Sequence, residues 1–303
     1  MKARAVVFAY HEVGVRCLQV LLAGGVDVAL VLTHDDDPAE NIWYGSVRAL
    51  CRERGIATAV YADPTDPALL AAVRAARPDF LFSFYYRHLL PAAVLAVAPA
   101  YNMHGSLLPE FRGRAPINWA VLHGADRTGA TLHEMTVKPD AGAIVAQTAV
   151  PILPDDTAFE VFGKVTVAAE QTLWGVLPAL LAGTAPRRCN DLQQGSYFGA
   201  RTPADGRIDW HADAQTVYNL HRAVAPPYPG AHTRLGGVLL TLARARLMPG
   251  RLASGMAPGL AVLDGRIVGV CGDGRMLAIT SLLDGLTEVS PQQLQTMLTR
   301  NHP

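Results

Sequence analysis

Little in this sequence advertises a metal, a redox couple or a disulfide framework. Its four cysteines, Cys17, Cys51, Cys189 and Cys271, stand far apart in 303 residues and form no Cys-x-x-Cys pair. A zinc ribbon, a redox motif and a stapled secreted fold are therefore without support, no metal is expected, and the thiols read as reduced ones in a cytoplasmic protein. Net charge is missing as well: 26 Lys+Arg balance 26 Asp+Glu, with an isoelectric point near 7.2. Such a chain has no global field to gather DNA or tRNA, so no nucleic-acid partner is expected. The longest uncharged stretch, Leu89 to Pro109, is interrupted by Pro91, Pro99, Asn102 and His104, which rules it out as a membrane span. The basic start Met1-Lys2-Ala3-Arg4 leads into an apolar run that His11-Glu12 ends before any small-residue cleavage site, so no signal peptide is expected. Internal repeats and low-complexity tracts are lacking. No Gly-x-Gly-x-x-Gly follows a strand, and no NAD chemistry is expected.

What is present is the composition of a folded protein, 50% hydrophobic and 17% charged, of a size for one large or two ordinary domains. Short apolar runs alternate with helix-patterned stretches through the first half. Ala5 to Ala9 reads as a strand, Val13 to Ala23 as a helix closed by Gly24-Gly25, and Val28 to Leu32 as a second strand. Ser46 to Arg54, capped by Gly55, and Pro67 to Ala76 are further helices. Ile56 to Tyr61 is a strand, Asp79 to Phe84 a strand covered on both faces, and Pro91 to Val97 a helical segment. This alternation predicts an α/β fold, a Rossmann-like, mostly parallel sheet with helices on both faces. The C-terminal third differs. Leu260 to Leu263, Asp264-Gly265, Arg266 to Cys271, Gly272-Asp273-Gly274 and Met276 to Ile279 read as strand, turn, strand, turn, strand, because Asp-Gly supplies the positive φ angles a two-residue hairpin needs. We expect a catalytic domain over 1–190, a linker over 191–206 and a smaller antiparallel, OB-like β domain over 207–303.

One segment is richer in polar groups than a plain fold requires: Tyr101-Asn102-Met103-His104-Gly105-Ser106-Leu107-Leu108-Pro109, then Phe111-Arg112-Gly113-Arg114-Ala115-Pro116. Asn102 and His104 are two apart, so on an extended strand they point to one face. An amide N–H can hold a developing oxyanion, an effect of about 3 kcal/mol in other oxyanion sites, while an imidazole moves a proton, which suits acyl transfer. The plainer alternative is a satisfied histidine in a turn. Asp140, in Lys138-Pro139-Asp140-Ala141-Gly142, either caps its own turn or faces His104 and raises its pKa.

These strings resemble the motif set of the 10-formyltetrahydrofolate-dependent formyltransferases. The likeness extends over Val7 to His11, Tyr44 to Val47, Phe82 to Leu89, Arg201-Thr202-Pro203, Arg222 to Ala225, Pro229-Gly230-Ala231 and Cys271 to Gly274. Within the family it is nearest to the formyltransferase half of bifunctional polymyxin-resistance proteins, which formylate UDP-4-amino-4-deoxy-L-arabinose in lipid A modification. The resemblance implies that His104 transfers the proton, Asn102 stabilises the transition state and Asp140 raises the pKa of His104. It implies folate contacts at His88, Leu89, Leu90 and Arg114, and in the loop Thr136, Val137, Lys138, Pro139 and Asp140. The co-substrate would be 10-formyltetrahydrofolate, with no metal and no NAD, since the second, NAD-dependent half of those proteins has no counterpart here. Tyr10, Asn118, Arg201 and Arg222 are candidates for the sugar nucleotide, the arginines because a diphosphate wants guanidinium donors. A monomer or weak dimer is expected.

Two other readings stand beside this one. Methionyl-tRNA formyltransferase shares the motif, but the acidic loop His34-Asp35-Asp36-Asp37-Pro38-Ala39-Glu40-Asn41 is poorly suited to a tRNA. A folate-binding scaffold without turnover is a non-enzyme alternative, and the Asn102, His104 and Asp140 set weighs against it.

Overall fold

A computed structural model of the protein describes residues 2–38, 40–250 and 255–301. In chain order the elements are β1 (Arg4–Ala9), α1 (His11–Ala23), β2 (Asp27–Thr33), α2 (Val47–Arg54), β3 (Thr58–Val60), α3 (Pro67–Ala75), β4 (Phe80–Phe84), α4 (Ala92–Leu95) and β5 (Ala100–His104). They continue with β6 (Arg112–Gly113), α5 (Pro116–Leu122), β7 (Arg127–Glu134), β8 (Ile144–Pro151), α6 (Ala158–Leu181) and β9 (Tyr197–Phe198). The helix limits follow local chemistry. Ser46 accepts a hydrogen bond from Ala49 N, and Gly55, at φ 66°, closes α2 in the left-handed conformation. Asp66 accepts from Ala68 N, with Pro67 at the first helical position of α3.

The main sheet has the order β3-β2-β1-β4-β5-β7-β8. The first five strands are parallel, and β7 and β8 extend the sheet antiparallel. Val6, Phe8, Leu32, Leu81 and Leu90 form a continuous buried cluster with Leu69 and Val73 of α3 and Val94 of α4, the arrangement that makes β1 and β4 apolar along nearly their whole length.

The later elements are α7 (Ala214–Val224), β10 (Ala231–Leu235), β11 (Val238–Leu247), β12 (Gly259–Leu263), β13 (Arg266–Val270), β14 (Met276–Asp284), β15 (Thr287–Glu288) and α8 (Pro291–Asn301). Their strands form an antiparallel half-barrel sheet of order β10-β11-β14-β13-β12, with β15 on β14. The β12–β13 hairpin turns on Asp264 and Gly265 at φ 48° and 70°, the two positive angles the dipeptide predicts.

The chain forms two compact units, and the division interleaves rather than falling at one point. The first comprises residues up to Pro116, Arg127–Pro151 and Phe162–Gly199; the second comprises Ile117–Asp126, Ile152–Val161 and the chain from Ala200 onward. The stretch expected as a linker thus differs from the observed grouping over 191–199. There Arg112 donates to the carbonyls of Ser196 and Leu192, and β9 pairs in parallel with β6. Among the described residues, no helix is long and apolar enough to cross a membrane.

Candidate active site

The site grows from the C-terminal end of β5. Asn102 and His104 alternate onto one face, and the antiparallel register with β7 sets His133 opposite Asn102 and Thr131 opposite His104. Thr131 is fully buried; its hydroxyl donates to Ser106 O at 2.6 Å and accepts from Leu108 N at 3.1 Å and from Gln147 Nε2 at 3.0 Å. That bonding holds the Gly105 to Pro109 turn against the sheet. Asp140 comes from the β7–β8 loop, with its backbone in the left-handed region at φ 50°. Two residues on, Gly142 passes so close to β7 that a Cβ would stand 1.9 Å from Glu134 O, so the loop requires glycine there.

Asp140 reaches the strand residues. One oxygen, Oδ1, is 3.5 Å from His104 Nδ1 and 3.5 Å from His133 Nε2. The other, Oδ2, accepts from Gly113 N at 2.9 Å. His104 Nε2 lies 2.9 Å from Phe111 O, so that nitrogen carries the proton and donates. His133 Nδ1 lies 2.8 Å from Glu134 O and likewise donates, while Nε2 lies 3.1 Å from Asn102 Nδ2 and 3.5 Å from Asp140 Oδ1. His104, His133, Asp140 and Asn102 therefore form one connected polar cluster.

Electrostatics separate the two acidic and basic partners. Burial alone would raise the pKa of Asp140, but His104, His133 and the Gly113 N–H outweigh it and hold the carboxyl well below the usual range. For His104, burial lowers the pKa, Asp140 and the Phe111 carbonyl raise it, and His133 lowers it; the net direction is downward. Asp140 pulls the pKa of His104 upward, and desolvation outweighs that pull. At neutral pH the pair is a carboxylate beside a neutral imidazole. That imidazole can take a proton at Nδ1, and the resulting cation would face an oxygen at each nitrogen.

The remaining expected residues fall in several places. Leu90 is buried in the core, while Leu89 is 70% exposed. His88 packs edge-on against His34 and Tyr86. Arg114, Val137 and Lys138 are exposed, and Pro139 is half-buried. The Thr136 hydroxyl donates to Lys138 O. Tyr10 is buried with its hydroxyl committed to Asp36 and Tyr44 and with Arg87 over its ring. In the second unit, Asn118 donates to Ala223 O, and Arg201 lies over Trp119. Arg222 there is buried and donates to Asn219 and to the carbonyls of Leu153 and Asp156. Asn118 and Arg222 are thus tied into the structure of that unit. The sequence by itself singles out neither His133 nor the Phe111 carbonyl nor the Gly113 amide. The available signal for His133 was its alternation with Thr131, which acquires meaning only once the β5–β7 register is known.

The formyl transferase family model matches residues 7–177. The chain belongs to this family. A second model, the formyl transferase C-terminal domain, matches residues 201–295. Among solved structures, the chain is similar to an N-formyltransferase from Helicobacter canadensis, in complex with folinic acid and dTDP-3-aminofucose. The TM-score is 0.74 at 17% identity, over 92% of this chain and 99% of that one. It is also similar to a sugar N-formyltransferase from Shewanella sp. FDAARGOS_354, with a TM-score of 0.65, 18% identity, and coverage of 79% and 96% of the two chains. HypX from Aquifex aeolicus in complex with tetrahydrofolic acid matches at a TM-score of 0.66 and 17% identity, over 97% of this chain and 47% of HypX. At these identities the structures share the fold, and the formyl transferase assignment rests on the family match. Among the described residues no group of three or more His, Cys, Asp or Glu is placed to hold a metal ion.

Proposed function

We propose that this formyl transferase moves a formyl group from 10-formyltetrahydrofolate to the primary amine of a nucleotide-linked amino sugar, with UDP-4-amino-4-deoxy-L-arabinose as the first acceptor to test. The observation that carries the reading is the joined cluster of Asn102, His104 and Asp140 on β5 and its neighbouring loop, in a chain of this family. The similarity to the Helicobacter canadensis enzyme bound to folinic acid and an amino-sugar nucleotide supports the choice of both substrates.

In this mechanism the neutral amine attacks the formyl carbon to give a tetrahedral intermediate. The Asn102 side-chain amide, 3.1 Å from His133 Nε2, offers an N–H to the developing oxyanion. His104 accepts the proton that the attacking nitrogen sheds, with Asp140 stabilising the imidazolium, and returns it to N10 of the folate as the carbon–N10 bond breaks. The products are the N-formyl sugar nucleotide and tetrahydrofolate. The folate would lie against His88 to Leu90, Arg114 and Thr136 to Asp140, with the exposed side chains of Leu89 and Val137 as apolar contacts for its flat rings. Of the sugar-nucleotide candidates, Tyr10, Asn118 and Arg222 serve internal hydrogen-bond partners, and Arg201 lies over Trp119. We place the catalytic work in the first unit, in the cytoplasm, in a monomer or weak dimer.

The test is tetrahydrofolate release from 10-formyltetrahydrofolate with UDP-4-amino-4-deoxy-L-arabinose, beside His104→Ala, dTDP-3-aminofucose and charged methionyl initiator tRNA. Turnover with a sugar nucleotide, abolished in the variant, is expected. Turnover with the tRNA alone would overturn the reading, and folate binding without turnover would make the protein a scaffold.

A further inference from the structure

The side chain of Asn190 spans the backbone of the very turn that presents Asp140. Its amide nitrogen donates to Asp140 O at 3.0 Å and to Gly142 O at 3.1 Å, and the residue is 9% exposed. Its carbonyl oxygen is buried without a partner. This orientation is the favourable one, because the flipped amide would set an oxygen against two carbonyls and leave two N–H groups unsatisfied. The chain ahead of it is fixed too: Arg188 and Ile144 exchange both backbone hydrogen bonds, at 2.8 and 2.9 Å. The clamped turn is strained, since Asp140 holds a positive φ without being glycine. Nothing in the mechanism above uses Asn190.

We propose that Asn190 is a positioning residue for formyl transfer: its amide pins the 140–142 turn so that the Asp140 carboxylate stays between His104 and His133. The inference rests on the reading of this cluster as formyl-transfer machinery. His104 is faced by Asp140 from the β7–β8 loop, by His133 from β7 and by the Phe111 carbonyl ahead of β6. Of these, Asp140 and the carbonyl favour the protonated ring. A turn freed from Asn190 lets Asp140 recede, which weakens that support and lowers the pH at which His104 titrates. Two donors from one nitrogen are needed, so Gln can substitute in part and Asp cannot.

The experiment compares Asn190→Ala, Asn190→Gln and the wild-type chain. The Ala variant is expected to lose roughly 10- to 100-fold in kcat with KM changed by less than about 3-fold, and Gln is expected to recover most of the loss. In a histidine ¹⁵N NMR titration, the His104 midpoint of the Ala variant is expected to fall by about half a pH unit. An unmoved His104 midpoint, with a kcat loss no larger than the loss of folded protein, would overturn the proposal. Should the Ala variant not fold, Asn190→Ser, which keeps one donor, carries the same comparison. If the wild-type chain formylates no acceptor, the functional reading fails, while the NMR titration still decides whether Asn190 positions Asp140.

Discussion

The Asp140 carboxylate stands 3.5 Å from His104 Nδ1 through one oxygen and is tied to the Gly113 amide at 2.9 Å through the other. The carboxylate is thereby aimed from two loops at once, and the imidazole it faces is buried deeply enough to stay neutral. Removing the base and removing its partner should therefore have different signatures. His104→Ala is expected to lower kcat by about 10²- to 10⁴-fold. Asp140→Asn, which keeps the shape but not the charge, is expected to lower kcat by about 10- to 100-fold. Steady-state kinetics of formyl transfer separates the two.

The pH profile follows from the directions of the shifts. His104 accepts a proton only when neutral, and its pKa lies below the ordinary histidine value. Activity is therefore flat across neutral pH so far as this group is concerned, and falls as pH drops through its lowered pKa. In Asp140→Asn the main group raising that pKa is lost, so the acid limb moves to still lower pH. A limb that stays in place would show that the carboxylate does not act on His104.

Stability at acid pH should be lost through histidines buried in the neutral form. Burial, then the Arg246 charge, hold His221 at about 4, and burial together with His88 and Arg87 holds His34 at about 4. Both lie below the unfolded value of 6.5, so between pH 6.5 and 4 the unfolded chain binds more protons and stability falls as pH falls. Below about 4 the loss from these groups is complete. At 1.36 kcal/mol per pH unit, buried His221 contributes up to about 3 kcal/mol. Melting temperature measured from pH 7.5 to 4 should decline over that window, and less steeply in His221→Asn.

Thr131→Val tests the support beneath the site. The exchange keeps the shape and removes a buried hydroxyl that serves Ser106, Leu108 and Gln147. It strands the Leu108 N–H away from water, at a cost of about 1–3 kcal/mol. Urea unfolding should show a lowered midpoint, and activity should drop with it because the same hydroxyl anchors the turn after His104.

Gly142→Ala places a methyl 1.9 Å from Glu134 O and 2.7 Å from Glu134 C, both main-chain atoms that cannot swing aside. Overpacking of this kind costs about 1–3 kcal/mol. Because the displaced loop carries Asp140, kcat should fall by at least about 10-fold, and a variant with wild-type kcat would show that the loop's closeness to β7 is dispensable.

Local sequence was enough for much of this protein. Ser46 and Gly55 bracket α2, Asp264-Gly265 turns the β12–β13 hairpin, and the two-residue spacing of Asn102 and His104 places them on one face of β5. Each of these depends on φ preferences, capping or strand alternation, which act within a few residues and can be read from a window of sequence. The motif strings likewise carried the family. Other features were decided only by the tertiary structure: the meeting of Asp140 with His104 and His133, the reversal of the net pKa direction at His104, and the binding of 188–198 across the loops that frame the site. The first needs the antiparallel register of β5 and β7 together with the reach of a loop, and the second depends on how much water the completed fold excludes. The third joins residues about 50 to 80 positions apart, where loop-closure entropy is offset only by contacts that exist once the whole unit has formed.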